Sequence, residues 1–191
     1  LTLLDTAQAG FFLTYDCFNR RLKGNMKRPH VLVTGAAGFI GSHLIERLLE
    51  QRICVVGIDN IDPFYSTALK RENLRTLERQ AKATGTSFVF LEKDLLALDP
   101  QWLGGYEISD VIHLAAKAGV LPSLKNPEAY LHANVTATLK LLDFCRASGI
   151  RDFTYGSSSS VYGIDTPGPF AETAPADRPI SPYAASKRAG E

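Results

Sequence analysis

The chain has 191 residues, 45% of them hydrophobic and 21% charged, and 21 basic against 20 acidic side chains leave a formal net charge of +1. That size and balance suit one α/β domain with a sizeable core, and give no electrostatic reason to expect nucleic acid or a membrane surface as a partner. The three cysteines, Cys17, Cys54 and Cys145, are too widely spaced for a zinc site or a disulfide framework. No apolar run reaches the roughly 18 residues of a membrane span, so a reduced, soluble, cytoplasmic protein is expected.

The only methionine, Met26, immediately precedes KRPHVLVTG, the first convincing strand. Residues 1–25 fit neither a helical nor a strand period and are expected to be a poorly ordered extension ahead of the natural start, with residues 26–191 forming the folded domain. Apolar, β-branched runs then alternate with helical patterns. HVLVTG is followed by FIGSHLIERLLEQ, ICVVGID, a helix from about Thr67 to Ala83 and SFVFLEKD. After a turn-rich segment come DVIHLAA, a helix from about Pro127 to Ser148, and DFTYGSSSS. Strands that are apolar throughout are buried on both faces, which calls for a parallel sheet covered by helices. The expected fold class is therefore α/β, doubly wound, of the Rossmann type. GIDTPGPFAETAPADRPISP reads as a loop.

TGAAGFIGSHL sets Gly35, Gly38 and Gly41 between the first strand and the first helix. A tight turn, backbone approaching a pyrophosphate, and close packing of helix on strand each need a residue without a Cβ. The helix N-terminus then offers free N–H groups to the phosphates, so the turn predicts dinucleotide binding. The second strand ends at Asp59, 18 residues after Gly41. A carboxylate there accepts hydrogen bonds from the adenosine ribose and repels a 2′-phosphate, which predicts NAD over NADP.

In SPYAASK, Ser181 and Pro182 read as the N-cap and first position of a helix. Tyr183 then lies in the first turn, and Lys187 projects from the same face one turn later. An ordinary phenol has pKa ~10 and is ionised to only about a thousandth at neutral pH. A neighbouring ammonium and the positive helix end both favour the phenolate, which fits Tyr183 for general-base work on a hydroxyl. GSSSSVYG follows the fifth strand, at the carboxyl end where this fold places ligands, and one of its hydroxyls can orient the reacting oxygen. His30, His43, His113 and His132 are scattered and read as structural, and no metal is expected.

These segments, together with GIDN, DPFYSTALKRENL, HLAAKAGV, NPEAYLHANVTATLKLL and SPYAASKRAGE, resemble the extended short-chain dehydrogenase/reductase family from Met26 to Glu191. Within it they look most like the nucleotide-sugar epimerases, UDP-glucuronate 4-epimerases before UDP-glucose 4-epimerases. The resemblance implies NAD as cofactor and a UDP-sugar as substrate, with hydride leaving C4, a 4-keto sugar turning over, and hydride returning to its other face. It implies Tyr183 as base, Lys187 on the nicotinamide ribose, and Ser158 as assisting hydroxyl. Gly35, Gly38, Phe39, Ile40, Gly41, Asp59, Asn60, Asp94, Leu95, Leu114, Ala115, Ala116 and Asn134 would contact the cofactor. Ser158, Ser159 and Ser160 would contact the substrate.

Relatives that dehydrate or decarboxylate usually carry acidic residues where Ser159 and Ser160 stand, which ranks an epimerase above a 4,6-dehydratase or decarboxylase. Leu121, followed by Pro122, stands where these relatives often have arginine, and this loosens the assignment of the sugar. A non-catalytic NAD-binding module is the alternative of another class, against which the intact Ser158, Tyr183 and Lys187 speak. The resemblance further implies a smaller substrate domain after the last helix, so this chain is expected to be a truncated cofactor domain that binds NAD weakly and turns over little substrate. It also implies a homodimer through the helix near 127–148 and the last helix.

Overall fold

Five parallel strands lie in the order β3-β2-β1-β4-β5 in the computed structural model, which describes residues 29–191. The extension expected over residues 1–25 lies outside the described residues. The strands are β1 (His30–Thr34), β2 (Cys54–Asp59), β3 (Phe88–Glu92), β4 (Ile108–His113) and β5 (Asp152–Tyr155). Leu32 of β1 is opposite Val56 of β2 and Val111 of β4. This is the doubly wound arrangement expected of strands that are apolar on both faces.

Alternation along each strand feeds two cores. Val31, Val33 and Val55 point to one face and pack under α1 (Phe39–Glu50) and α2 (Thr67–Thr84) through Ile45, Leu48, Leu49 and Leu77. Leu32, Val56, Ile58 and Val111 point to the other and meet Leu141, Phe144 and Cys145 of α5 (Ala137–Ser148). Burying one such Val or Leu side chain contributes about 1.5–3 kcal/mol.

The helix expected over residues 127–148 is interrupted. After α3 (Val120–Lys125), α4 (Pro127–Leu131) runs into a π-helical turn, His132–Thr136, before α5 begins. The inserted turn carries Asn134, which is buried and held by three hydrogen bonds from outside the helix. Its Oδ1 accepts the Lys117 N–H at 2.7 Å, and its Nδ2 donates to Lys117 O and Ser186 Oγ, both at 2.9 Å. A π turn is a recurrent way of aiming one helical side chain at a functional site.

The last helix, α6 (Pro182–Gly190), starts as its residues dictate: Ser181 Oγ accepts the Ala184 N–H at 3.0 Å and Pro182 fills the first turn. It packs on α3, α4 and the short helical turn Ser159–Tyr162. No helix among the described residues is long and apolar enough to cross a membrane.

Candidate active site

Loops after β1 and β2 turn toward the face covered by α1 and α2, whereas the loop after β4 turns toward the face of α5. The crevice between these loops, above the carboxyl ends of β1 and β4, is the switch point at which doubly wound sheets bind ligands.

Gly35 opens the turn with φ +71°, the left-handed conformation that glycine alone adopts freely. A Cβ there would sit 2.9 Å from Ala115 N, and one at Gly41 would collide with Gly35 O. Gly38 stands at the N-cap of α1, and Phe39 and Ile40 in its first turn are exposed. The turn thus presents bare backbone and helix N–H groups, a cradle for a diphosphate.

The turn is locked to the segment after β4 by a buried hydroxyl–imidazole chain. Thr34 and His113 are register partners in β1 and β4. Thr34 Oγ1 accepts the N–H groups of Leu114 at 3.2 Å and Ala115 at 3.1 Å, and lies 2.6 Å from His113 Nδ1. His113 Nε2 lies 2.9 Å from Thr138 Oγ1, whose own hydrogen goes to Asn134 O at 2.6 Å. Thr138 must therefore accept from Nε2–H, and Nδ1 must accept from Thr34, so every group is satisfied only by a neutral imidazole.

Burial, with the charge of Lys187 as a second cause, pulls His113 down to about 4. An unfolded histidine keeps the ordinary 6.5. The unfolded chain therefore binds more protons between those values, and stability falls as pH drops through that window. A loss of about 3 kcal/mol from this group between pH 6.5 and 4 is expected. Urea unfolding across that range should show the slope, and His113→Gln should flatten it.

At the end of β2, Asp59 is buried and already engaged. Its Oδ2 accepts Ala37 N–H at 3.1 Å, and its Oδ1 accepts Ile61 N–H at 2.8 Å and Lys70 Nζ at 3.1 Å. A carboxylate has about four acceptor positions, so one remains for a ribose hydroxyl. Lys70 escaped the sequence reading; it adds a donor beside that position. Asn60 Nδ2 donates to Asp94 Oδ2 at 3.0 Å, which joins two residues expected to contact the cofactor. Leu95 buries its side chain in the core and offers the crevice only its backbone.

At the other end, Lys187 is buried, and its ammonium rests on the face of Tyr155, 4.6 Å from the ring centroid. Burial pulls the lysine down to about 8, against the opposing charge of Glu191. Tyr183 is half-buried, and its ring meets Tyr130 edge-on at 6.1 Å. Tyr130 is fixed by its hydroxyl, which donates to Ala118 O at 2.7 Å. Ser158 caps the Ser159–Tyr162 turn that packs on α6, accepting Ser160 N–H at 3.2 Å, with the two hydroxyls 2.9 Å apart. The structure thus brings the glycine turn, Asp59, residues 114–116, Asn134 and the Tyr183–Lys187 pair to the crest of one sheet. Tyr183 offers there a phenol that makes no hydrogen bond to another described residue, one helical turn before the buried Lys187.

A family model described as GDP-mannose 4,6 dehydratase matches residues 32–191. UDP-glucuronate 4-epimerase 2 of Arabidopsis thaliana is 40% identical over 162 residues, covering 84% of this chain and 36% of that protein. UDP-glucuronate 4-epimerase of Thermodesulfobacterium geofontis is 40% identical over 164 residues, covering 85% of this chain and 49% of that protein. The crystal structure of UDP-glucuronic acid 4-epimerase from Bacillus cereus in complex with UDP-glucuronic acid and NAD superposes with a TM-score of 0.74 at 38% identity, covering 84% of this chain and 49% of that one. The chain thus spans about half or less of the length of these relatives.

Proposed function

Since the chain belongs to the GDP-mannose 4,6 dehydratase family, we propose that it is the cofactor-binding and proton-transferring part of an NAD-dependent UDP-sugar 4-epimerase, with UDP-glucuronate the favoured substrate. The observation that carries this reading is that α6 bears a phenol and, one turn on, a buried ammonium, and packs against the serine-rich turn Ser159–Tyr162.

NAD, bound there, supplies a reversible hydride acceptor. Gly35, Gly38 and Gly41 would admit its diphosphate, Asp59 and Lys70 its adenosine ribose, and Lys187 the other ribose. Tyr183 would accept the proton of the sugar O4 when C4 is oxidised and would return it when the 4-keto group is reduced. Ser158 orients that oxygen. Ser159 and Ser160 open the turn that Ser158 caps, and their hydroxyls would suit a C5 carboxylate. They cannot supply the additional acid and base that elimination of water requires, which favours epimerase over dehydratase within this family.

The test is to incubate the protein with NAD and UDP-glucuronate deuterated at C4. The expected result is weak NAD binding and only slow formation of the C4 epimer, with deuterium retained in what forms. Failure to bind NAD, loss of the label, or accumulation of a dehydrated keto sugar would refute the reading.

An assembly in keeping with this reading is a homodimer through the helical segment near 127–148 and the last helix, and exposed Leu131, Leu139 and Leu142 on that segment suit it. Leu139→Glu should convert the dimer to monomer in sedimentation velocity.

A further inference from the structure

The crevice has two walls, and one ion pair crosses it. Asp62 belongs to the loop between β2 and α2, on one wall; Lys117 belongs to the segment after β4, on the other. Lys117 Nζ donates to Asp62 Oδ2 at 2.9 Å. The same ammonium lies 5.4 Å from the ring centroid of Phe64. Resting on the reading of this crevice as the dinucleotide site, we propose that Asp62 and Lys117 form a clasp that retains the bound dinucleotide from one turnover to the next.

Each half of the pair is mounted rigidly. The backbone N–H and C=O of Lys117 are both held by the buried amide of Asn134. On the opposite wall Ile61 takes φ +52°, a left-handed conformation that a β-branched residue rarely adopts and that turns the loop sharply. Asp62 N–H donates to Asn60 Oδ1 at 3.0 Å, and Asp62 Oδ1 accepts Phe64 N–H at 2.8 Å. That leaves Oδ2 for Lys117.

Burial opposes ionisation of Asp62, but the hydrogen bonds from Lys117 and Phe64 and the charges of Lys117 and Lys70 hold it below the usual carboxylate range. Asn134, which holds Lys117, also donates to Ser186 Oγ of α6 at 2.9 Å, and so ties the Lys117 half of the pair to the helix that carries Tyr183. The pair therefore links the loop that follows Asp59 to the support of the helix that carries Tyr183. A dinucleotide lying from Asp59 to Lys187 passes between the two anchor points.

The chemistry gives such a closure a use. Hydride taken from the sugar returns to the same sugar, so exchange of the cofactor serves no step, and its escape in the reduced form would strand the keto sugar.

The experiment loads the protein with NADH, chases with excess NAD, and follows the loss of NADH fluorescence by stopped flow. Asp62→Asn and Lys117→Met are each expected to release NADH about fivefold faster, the size of effect a partly exposed pair supports. The double variant should be no faster than either single. The side chains are 26% and 31% exposed, so raised salt should accelerate release from wild type more than from the variants. Thermal melts confirm that the variants fold, and Lys117→Gln is the substitute if Lys117→Met does not. Release rates agreeing within about twofold among the folded proteins, or faster association with unchanged release, overturn the clasp alone. No NADH binding by wild type overturns the clasp and the proposed function together.

Discussion

Tyr183→Phe is expected to reduce epimerase turnover by about a thousandfold while changing NADH affinity by no more than about threefold. The substitution keeps the ring that packs edge-on against Tyr130, so the first turn of α6 keeps its support. It removes a hydroxyl that makes no hydrogen bond to any other described residue, so no buried partner is orphaned and the melting temperature should hardly move. What disappears is the acceptor for the sugar proton. General-base catalysis of this kind is typically worth factors of about a hundred to ten thousand. Turnover assays, NADH titration and a thermal melt on the same preparation separate the cases. A non-catalytic NAD-binding protein would show no difference in any of the three, and normal turnover by the Phe variant would remove Tyr183 from the mechanism.

The features that were legible in the sequence are those whose cause is local. Ser181 and Pro182 specify the start of α6 through one cap and one fixed dihedral, and those two residues alone put Tyr183 and Lys187 a turn apart. Gly35 and Gly41 were readable for the same reason, because a turn between a strand and a helix constrains a few neighbouring dihedrals and leaves no room for a Cβ. Continuous apolar strands sufficed to predict a parallel sheet covered on both faces.

Features created by pairing between distant segments were not legible. Thr34 and His113 share a hydrogen bond only because β1 and β4 pair in that register, and neither residue carries a local sign of it. His113 was read as structural, but its role in tying the glycine turn to the segment after β4 depends on that register. The sequence places Asp59 at the end of β2 as an acceptor for a ribose, but it carries no sign that Lys70 and two backbone N–H groups occupy most of that capacity. Lys70 lies in the first turn of α2 and looks like any exposed helical lysine until the helix is docked. The π turn at Asn134 was read as plain helix because periodicity over 22 residues, 127 to 148, hardly registers one inserted residue. Lys117 and Asp62 are 55 positions apart, and the crevice between them exists only once the two loops have turned to opposite faces.

Lys187→Met is expected to stabilise the fold by about 2 kcal/mol at pH 7 while abolishing turnover. Burial pulls the lysine from 10.5 to about 8, so the folded protein holds an ammonium in a place that disfavours its charge. The unfolded chain binds more protons between those two values. Stability of the wild type therefore rises with pH from about 8 to 10.5 and is flat with respect to this group below 8. The full shift corresponds to a ceiling of about 3 kcal/mol, and the cation–π contact with Tyr155 returns about 1 kcal/mol of it. Methionine fills nearly the same volume without a charge, so the variant should gain at pH 7 and lose its advantage by pH 10. Urea unfolding of both proteins at the two pH values gives the answer. A Met variant that is less stable than wild type by the same margin at both would mean that Lys187 is held for packing rather than for its charge. The opposite pattern, with greater stability, weaker NADH binding and no turnover, would identify Lys187 as a residue kept at the expense of the fold because the chemistry requires a cation beside Tyr183.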